Sequence, residues 1–168
     1  MKALDLANYI ILVANKKYPT VHLTHLKLQK ILYYILTSHI KVSSSRDLPC
    51  SDKVEKWQFG PVIASVYDEF KNYGGRAITT PASSIEFNEN GLGFHIREFN
   101  EENFTSEYPD LKHTADQVIE KLIHKDAFTL VDMTHREKAW LDAEASIKNG
   151  AKGIQYSPED LRNATNIL

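Results

Sequence analysis

Apolar positions along the chain fall into runs at helical spacing, separated by short turn-marked breaks. Residues 3–16 (ALDLANYIILVANK) are apolar nearly all round, with Ile10, Ile11, Leu12 and Val13 consecutive. Their length and Ala3, Ala7 and Ala14 predict a buried central helix rather than a strand. Pro19 interrupts the chain, and Thr24 then offers an N-cap for a helix over 24–37. Leu28, Ile31, Leu32 and Ile35 form its core stripe, and Lys27, Lys30 and Tyr34 line the neighbouring face. The best-bounded stretch is 53–75. Pro61 at a first helical position, Gly60 before it and Gly74-Gly75 beyond it predict a helix of about three turns over 61–73. Its stripe is Ile63, Val66, Tyr67 and Phe70, expected to dock on the stripe of helix 24–37, with Trp57 and Phe59 as a lid on its first turn.

Further along, Ser43 to Ser45 and Asp47 to Pro49 read as a polar loop, and Ile78 to Thr80 as a short extended piece ended by Pro81. In 84–99, Ile85 and Phe87 face Phe94 and Ile96 around Asn90-Gly91, a strong hairpin signal. Glu101, Glu102 and Glu107 mark an acidic connector before a helix over 110–124 with the stripe Leu111, Ala115, Val118, Ile119 and Leu122. Thr129 caps a short turn through Leu130, Val131 and Met133. Thr134 and Glu137 have the spacing of a capping box before a helix over 136–148 carrying Trp140 and Leu141. Ser157, Pro158, Glu159 and Asp160 open a last helix. The expected fold is mainly α (α+β): a compact helical bundle, one domain over 1–168, with one small β-hairpin near 84–99.

Composition narrows the function. Apolar and charged fractions of 42% and 25% are those of an ordinary globular chain, and a formal net charge of −2 argues against a general nucleic-acid binder. Cys50 is the only cysteine, which excludes a disulfide framework and a thiolate metal site and fits a reducing cytoplasm. The run from Leu4 to Ala14 is too short to span a bilayer, and Asp5 and Asn8 make it a poor signal peptide.

Candidate chemistry is sparse. Lys27 in the first turn of helix 24–37 opposes the helix dipole by about 0.3–1 kcal/mol, which calls for an anionic partner or a local carboxylate. Lys27, Lys30 and Tyr34 make either a partner-binding face or a solvated one. Trp57 and Phe59 are either exposed anchors or core, and Gln58 between them points to the surface. His135 stands between Thr134 and Glu137, but no nucleophile lies at a recognisable spacing, so a structural or pocket role is the plainer reading. His22 and His25 straddle a helix start and lack a third ligand. Gly91 and Gly93 do not open a helix after a strand, so they form no phosphate loop.

Four segments in order resemble the Panacea domain, the SocA-like, phage-associated family. They are Ala7 to Leu12 (ANYIIL), Leu23 to Tyr34 (LTHLKLQKILYY), Trp57 to Gly74 (WQFGPVIASVYDEFKNYG) and Thr134 to Trp140 (THREKAW). The third contains Trp57, Phe59, Gly60, Pro61, Tyr67 and Phe70; the fourth contains Thr134, His135, Glu137 and Trp140. Ala139 stands where the family often has proline.

The resemblance implies a non-enzymatic antitoxin of prophage type. Such a protein neutralises a co-encoded toxin by direct binding, or acts as an adaptor handing the toxin to a cytoplasmic AAA+ protease. It implies no cofactor and no metal, and no segment of this chain resembles the added DNA-binding domain of some relatives. Lys27, Lys30, Tyr34 and Gln58 are the expected toxin contacts. The competing reading is a small-ligand or enzymatic domain whose pocket gathers Lys27, Tyr34 and His135.

Overall fold

The computed structural model describes residues 1–44, 47–88 and 91–168. Helix α1 runs over Ala3–Lys17 and α2 over His25–Val42, capped by the Thr24 hydroxyl, which accepts from the Lys27 N–H at 3.3 Å. The helix at the centre is α2, not α1. Every α2 residue from Lys27 to Ile40 is buried, because neighbours close on all its sides. Those neighbours are α1, α3 (Ala64–Phe70), α5 (Pro109–Leu122), α6 (Ala127–His135), α9 (Pro158–Arg162) and the strand at Gly60–Ile63. One core of buried side chains joins α1, α2, α5 and α6 to Phe70, Tyr156 and Leu161, and a small satellite core holds Trp140, Ala143 and Ile147.

The expected helix over 61–73 begins later than its local signals indicate. Gly60–Ile63 is a strand, β2, paired antiparallel with β1 (Val54–Trp57) from Val54↔Ile63 to Trp57↔Gly60. Gln58 and Phe59 are the two-residue turn between them, and α3 follows, ending in a 3-10 turn over Lys71–Tyr73. Pro61 therefore lies in a strand rather than at a helix start. Its missing N–H is tolerable there because β2 has a ladder partner on one side only. On its other side β1 meets the chain near Gln155: Lys56 N donates to Ile154 O at 2.7 Å and Tyr156 N to Val54 O at 2.9 Å.

The expected hairpin near 84–99 forms as β3 (Ser84–Phe87) and β4 (Phe94–Arg97), with Ile85 opposite Ile96 and Phe87 opposite Phe94. Asn90 of its turn, like Ser45 of the serine loop, lies outside the described residues. The acidic connector is instead a helix, α4 (Glu101–Glu107), because Asn100 caps it, two acids fill its first turn and Phe104 anchors it in the core. The expected helix over 136–148 is two short ones, α7 (Lys138–Leu141) and α8 (Glu144–Lys148). Thr134 does not cap them. It sits inside α6 and donates back to Val131 O at 2.8 Å, while Asp126 caps α6 through the N–H groups of Phe128 and Thr129. At the last helix the anticipated signals hold: Ser157 and Asp160 form a capping box with Pro158 at the first position. Among the described residues no helix is long and apolar enough to cross a membrane.

Candidate functional site

Three of the four motif segments meet at the β1–β2 hairpin, and side chains of α2 hold it there. Gln29, buried on α2, turns its amide to β2 as a third strand would. Its Oε1 accepts from Ile63 N at 2.9 Å and its Nε2 donates to Ile63 O at 3.3 Å. Lys30, fully buried, donates from Nζ to Pro61 O at 2.8 Å. These bonds satisfy the backbone groups of β2 that its sheet leaves open. Burial pushes the Lys30 ammonium down to about 7. Gly60 completes the clasp with φ +90°; a Cβ there would collide with Thr134 Oγ1 and come within 3.2 Å of Lys30 Cε. Only glycine lets the hairpin approach both neighbours.

At the tip, Trp140 donates its indole N–H to Trp57 O at 2.9 Å, and the His135 ring stacks on Trp140 at 3.6 Å, nearly parallel. Burial holds the His135 imidazolium below its ordinary value, aided by the Lys30 charge, with a hydrogen bond to the Gln58 backbone acting the other way. Trp57 is half-buried, donates to Glu55 Oε2 at 2.8 Å and packs edge-on to Tyr67, which in turn meets His25. Gln58 and Phe59 project from this rigid base. Phe59 is 48% exposed and meets Phe128, 62% exposed, edge to face at 6.2 Å. Beside them opens a hollow of about 430 Å³ lined by Gln58, Phe59, His135, Trp140, Glu144 and Lys148. A second hollow of about 440 Å³ lies along Glu55, Trp57, Gln58 and Lys152. The turn thus stands as a polar and aromatic ridge between two depressions, a shape suited to seating in a protein partner.

Beneath the ridge lies a buried polar cluster. Glu137 accepts from Tyr33 OH at 2.5 Å and from Thr165 N at 2.9 Å, so it joins α2 to the C-terminal segment. The phenols of Tyr33, Tyr34 and Tyr156 gather near it and are all driven upward, by burial first and the Glu137 charge second. The hydroxyls of Tyr34 and Tyr156 make no hydrogen bond among the described residues. All four side chains of this cluster are buried, and Glu137 ties α2 to the C-terminal segment.

The sequence-derived residues divide accordingly. Lys30 and Tyr34 have no exposed surface and Lys27 almost none, so the face they define is interior, neither solvated nor open to a partner. Burial lowers the Lys27 pKa, and the Asp126 charge pulls it only partly the other way. Gln58 is exposed, and Phe59 is a surface side chain rather than core. The pocket of Lys27, Tyr34 and His135 does not form among the described residues; His135 lines the hollow at Trp140 without the other two. His22 bonds Gly75 O at 2.8 Å while His25 turns to Tyr67, and among the described residues no metal-ligating cluster occurs. Two residues that build or flank the turn escaped sequence reasoning. Gln29 stood inside a quoted motif with nothing local to mark it, and Phe128 directly follows the capping Asp126-Ala127 with no stripe to join.

Fold and site together define a mainly helical domain whose motif residues build a braced, exposed turn. Comparison with known protein families matches residues 28–141 to the antitoxin SocA-like, Panacea domain family. The chain belongs to that family. Comparisons with curated proteins and with solved structures give no match.

Proposed function

We propose that this protein neutralises a co-encoded protein toxin by binding it, acting as a single Panacea domain over 1–168 without catalysis. The observation that carries the reading is the family match across residues 28–141. The contact surface we assign is the β1–β2 ridge: Gln58, Phe59 and Phe128, with the two flanking hollows receiving partner side chains. Physical support comes from the bracing. Aromatic anchors bind best when little freedom is lost on association, and Phe59 sits on a turn fixed by Gln29, Lys30 and Trp140. Lys30 then serves toxin binding indirectly, by holding the hairpin in place through Pro61 O, while Lys27 and Tyr34 are buried on the same helix. A standard interface buries about 800 Å² per partner, more than the ridge alone supplies, so the rims of the hollows take part.

The test is expression of the neighbouring open reading frame with and without this protein in the native host. Growth arrest that this protein relieves, with co-purification of the two chains, supports neutralisation by binding. Relief that disappears when the main AAA+ protease is deleted reassigns the mechanism to delivery for proteolysis. A neighbour that is harmless alone, or toxicity that persists, removes the reading for that pair.

A further inference from the structure

The β3–β4 hairpin shows its polar face to the protein and its apolar face to solvent. On the inner face Arg97 bonds Asp5 of α1 at 2.8 Å and Glu86 at 2.7 Å, and Glu86 also meets Lys2 at 3.6 Å and His95 at 3.5 Å. Asn8 of α1 secures the entry to β3 through two bonds with Ala82 at 2.8 Å each. The outer face holds Ile85, Phe87, Phe94 and Ile96, exposed by 62%, 76%, 62% and 64%. Strand pairing places all four on one side, Ile beside Ile and Phe beside Phe. Scattered exposed apolar residues are ordinary, but four of this size in one contiguous set are not.

We infer that this face is a homodimer interface, on which the β3–β4 hairpins of two copies pack face to face. Three features select a second copy. The four side chains offer roughly 500 Å² of apolar surface, so a pair buries about 1,000 Å², the lower bound for a specific interface. The charges on its inner face, Glu86, Arg97, Asp5 and Lys2, compensate one another within the chain, so among the described residues of these strands the outward face is apolar and selects an apolar partner surface. The arrangement is also self-complementary: an Ile pair followed by a Phe pair presents the same surface to its two-fold mate, the requirement for an isologous contact. Two such sheets stack about 10 Å apart with their apolar faces interleaved. The inference is independent of the toxin reading, since the ridge at Gln58 and Phe59 belongs to the other sheet.

The experiment is sedimentation equilibrium of the full chain alone over a micromolar dilution series, beside the double variant Phe87→Thr/Phe94→Thr. Threonine suits a strand and pairs across it, so the hairpin persists while the aromatic surface is lost. The expected result is a wild-type mass of twice the 19.2 kDa chain, concentration-dependent, and a single-chain mass for the variant at an unchanged melting temperature. A wild type that stays monomeric throughout the series, or a variant that still dimerises, overturns the inference. If the wild type is monomeric and the variant instead fails to bind the toxin, the face belongs to the toxin and the dimer is equally refuted.

Discussion

Replacing Lys30 by methionine should abolish a pH dependence of stability that the wild type shows above neutrality. Lys30 is fully buried on α2, bonds Pro61 O through its ammonium, and has its pKa pushed down to about 7. In the unfolded chain a lysine titrates near 10.4. Between those two values the unfolded state binds more protons than the folded one, so stability rises with pH. The contribution is fully present above the unfolded value and is lost as pH falls toward the folded one. Each full unit corresponds to about 1.4 kcal/mol, and partial protonation at the ends leaves about 2 kcal/mol between roughly pH 7 and pH 9. Other groups titrate nearby. Cys50 is pushed up to about 11, which opposes the rise as the unfolded thiol ionises, and the buried tyrosines act only at still higher pH. The difference between wild type and Lys30→Met cancels these terms. The assay is urea unfolding at several pH values, with free energies from linear extrapolation. Methionine also removes the bond to Pro61 O, so the offset between the proteins is not diagnostic; the slope is. Parallel pH profiles would refute the assignment and mean that Lys30 keeps its proton in the folded state.

Gly60→Ala should destabilise the fold by about 2 kcal/mol or more, since it adds left-handed strain to a collision with Thr134 and pressure on Lys30. Thermal melting checks this, and an unchanged midpoint would show that the clasp can open. Glu137→Ala should cost about 2–4 kcal/mol by leaving Tyr33 OH and the Thr165 N–H without their acceptor. Glu137→Gln keeps an acceptor and should recover part of that loss in the same melting assay.

Wherever local chemistry decides the conformation, the sequence already showed the fold. Thr24 caps α2 and Ser157 with Pro158 opens α9 because their partners lie within a turn. The apolar alternation about the turn of 84–99 sufficed for β3–β4, though not for which face would point outward; Asn8 and Asp5, 74 and 92 residues upstream of their partners, decide that. Failures cluster where a distant side chain outbids a local signal. Gly60-Pro61 has the local appearance of a helix start, but Gln29 and Lys30 capture the backbone of β2 first. Thr134 and Glu137 have capping-box spacing, yet Thr134 packs against Gly60 and Glu137 is held by Tyr33. Lys27, Lys30 and Tyr34 looked like a face because α2 was read as having one buried stripe, whereas it is enclosed all round. At the site, Gln58 was legible from alternation alone, while Phe128 depends on tertiary placement beside Phe59.

The most direct test of the ridge as a toxin-binding surface is calorimetric titration of the purified neighbour-encoded protein into wild type and into Phe59→Asp/Phe128→Asp. Both side chains are exposed, so the variant should melt as the wild type does while losing the two aromatic anchors. The expected result is a saturable complex with wild type and one roughly 30- to 1,000-fold weaker with the variant, from roughly 2–4 kcal/mol of hot-spot energy. Equal affinity for both proteins, or no complex with either, would contradict it.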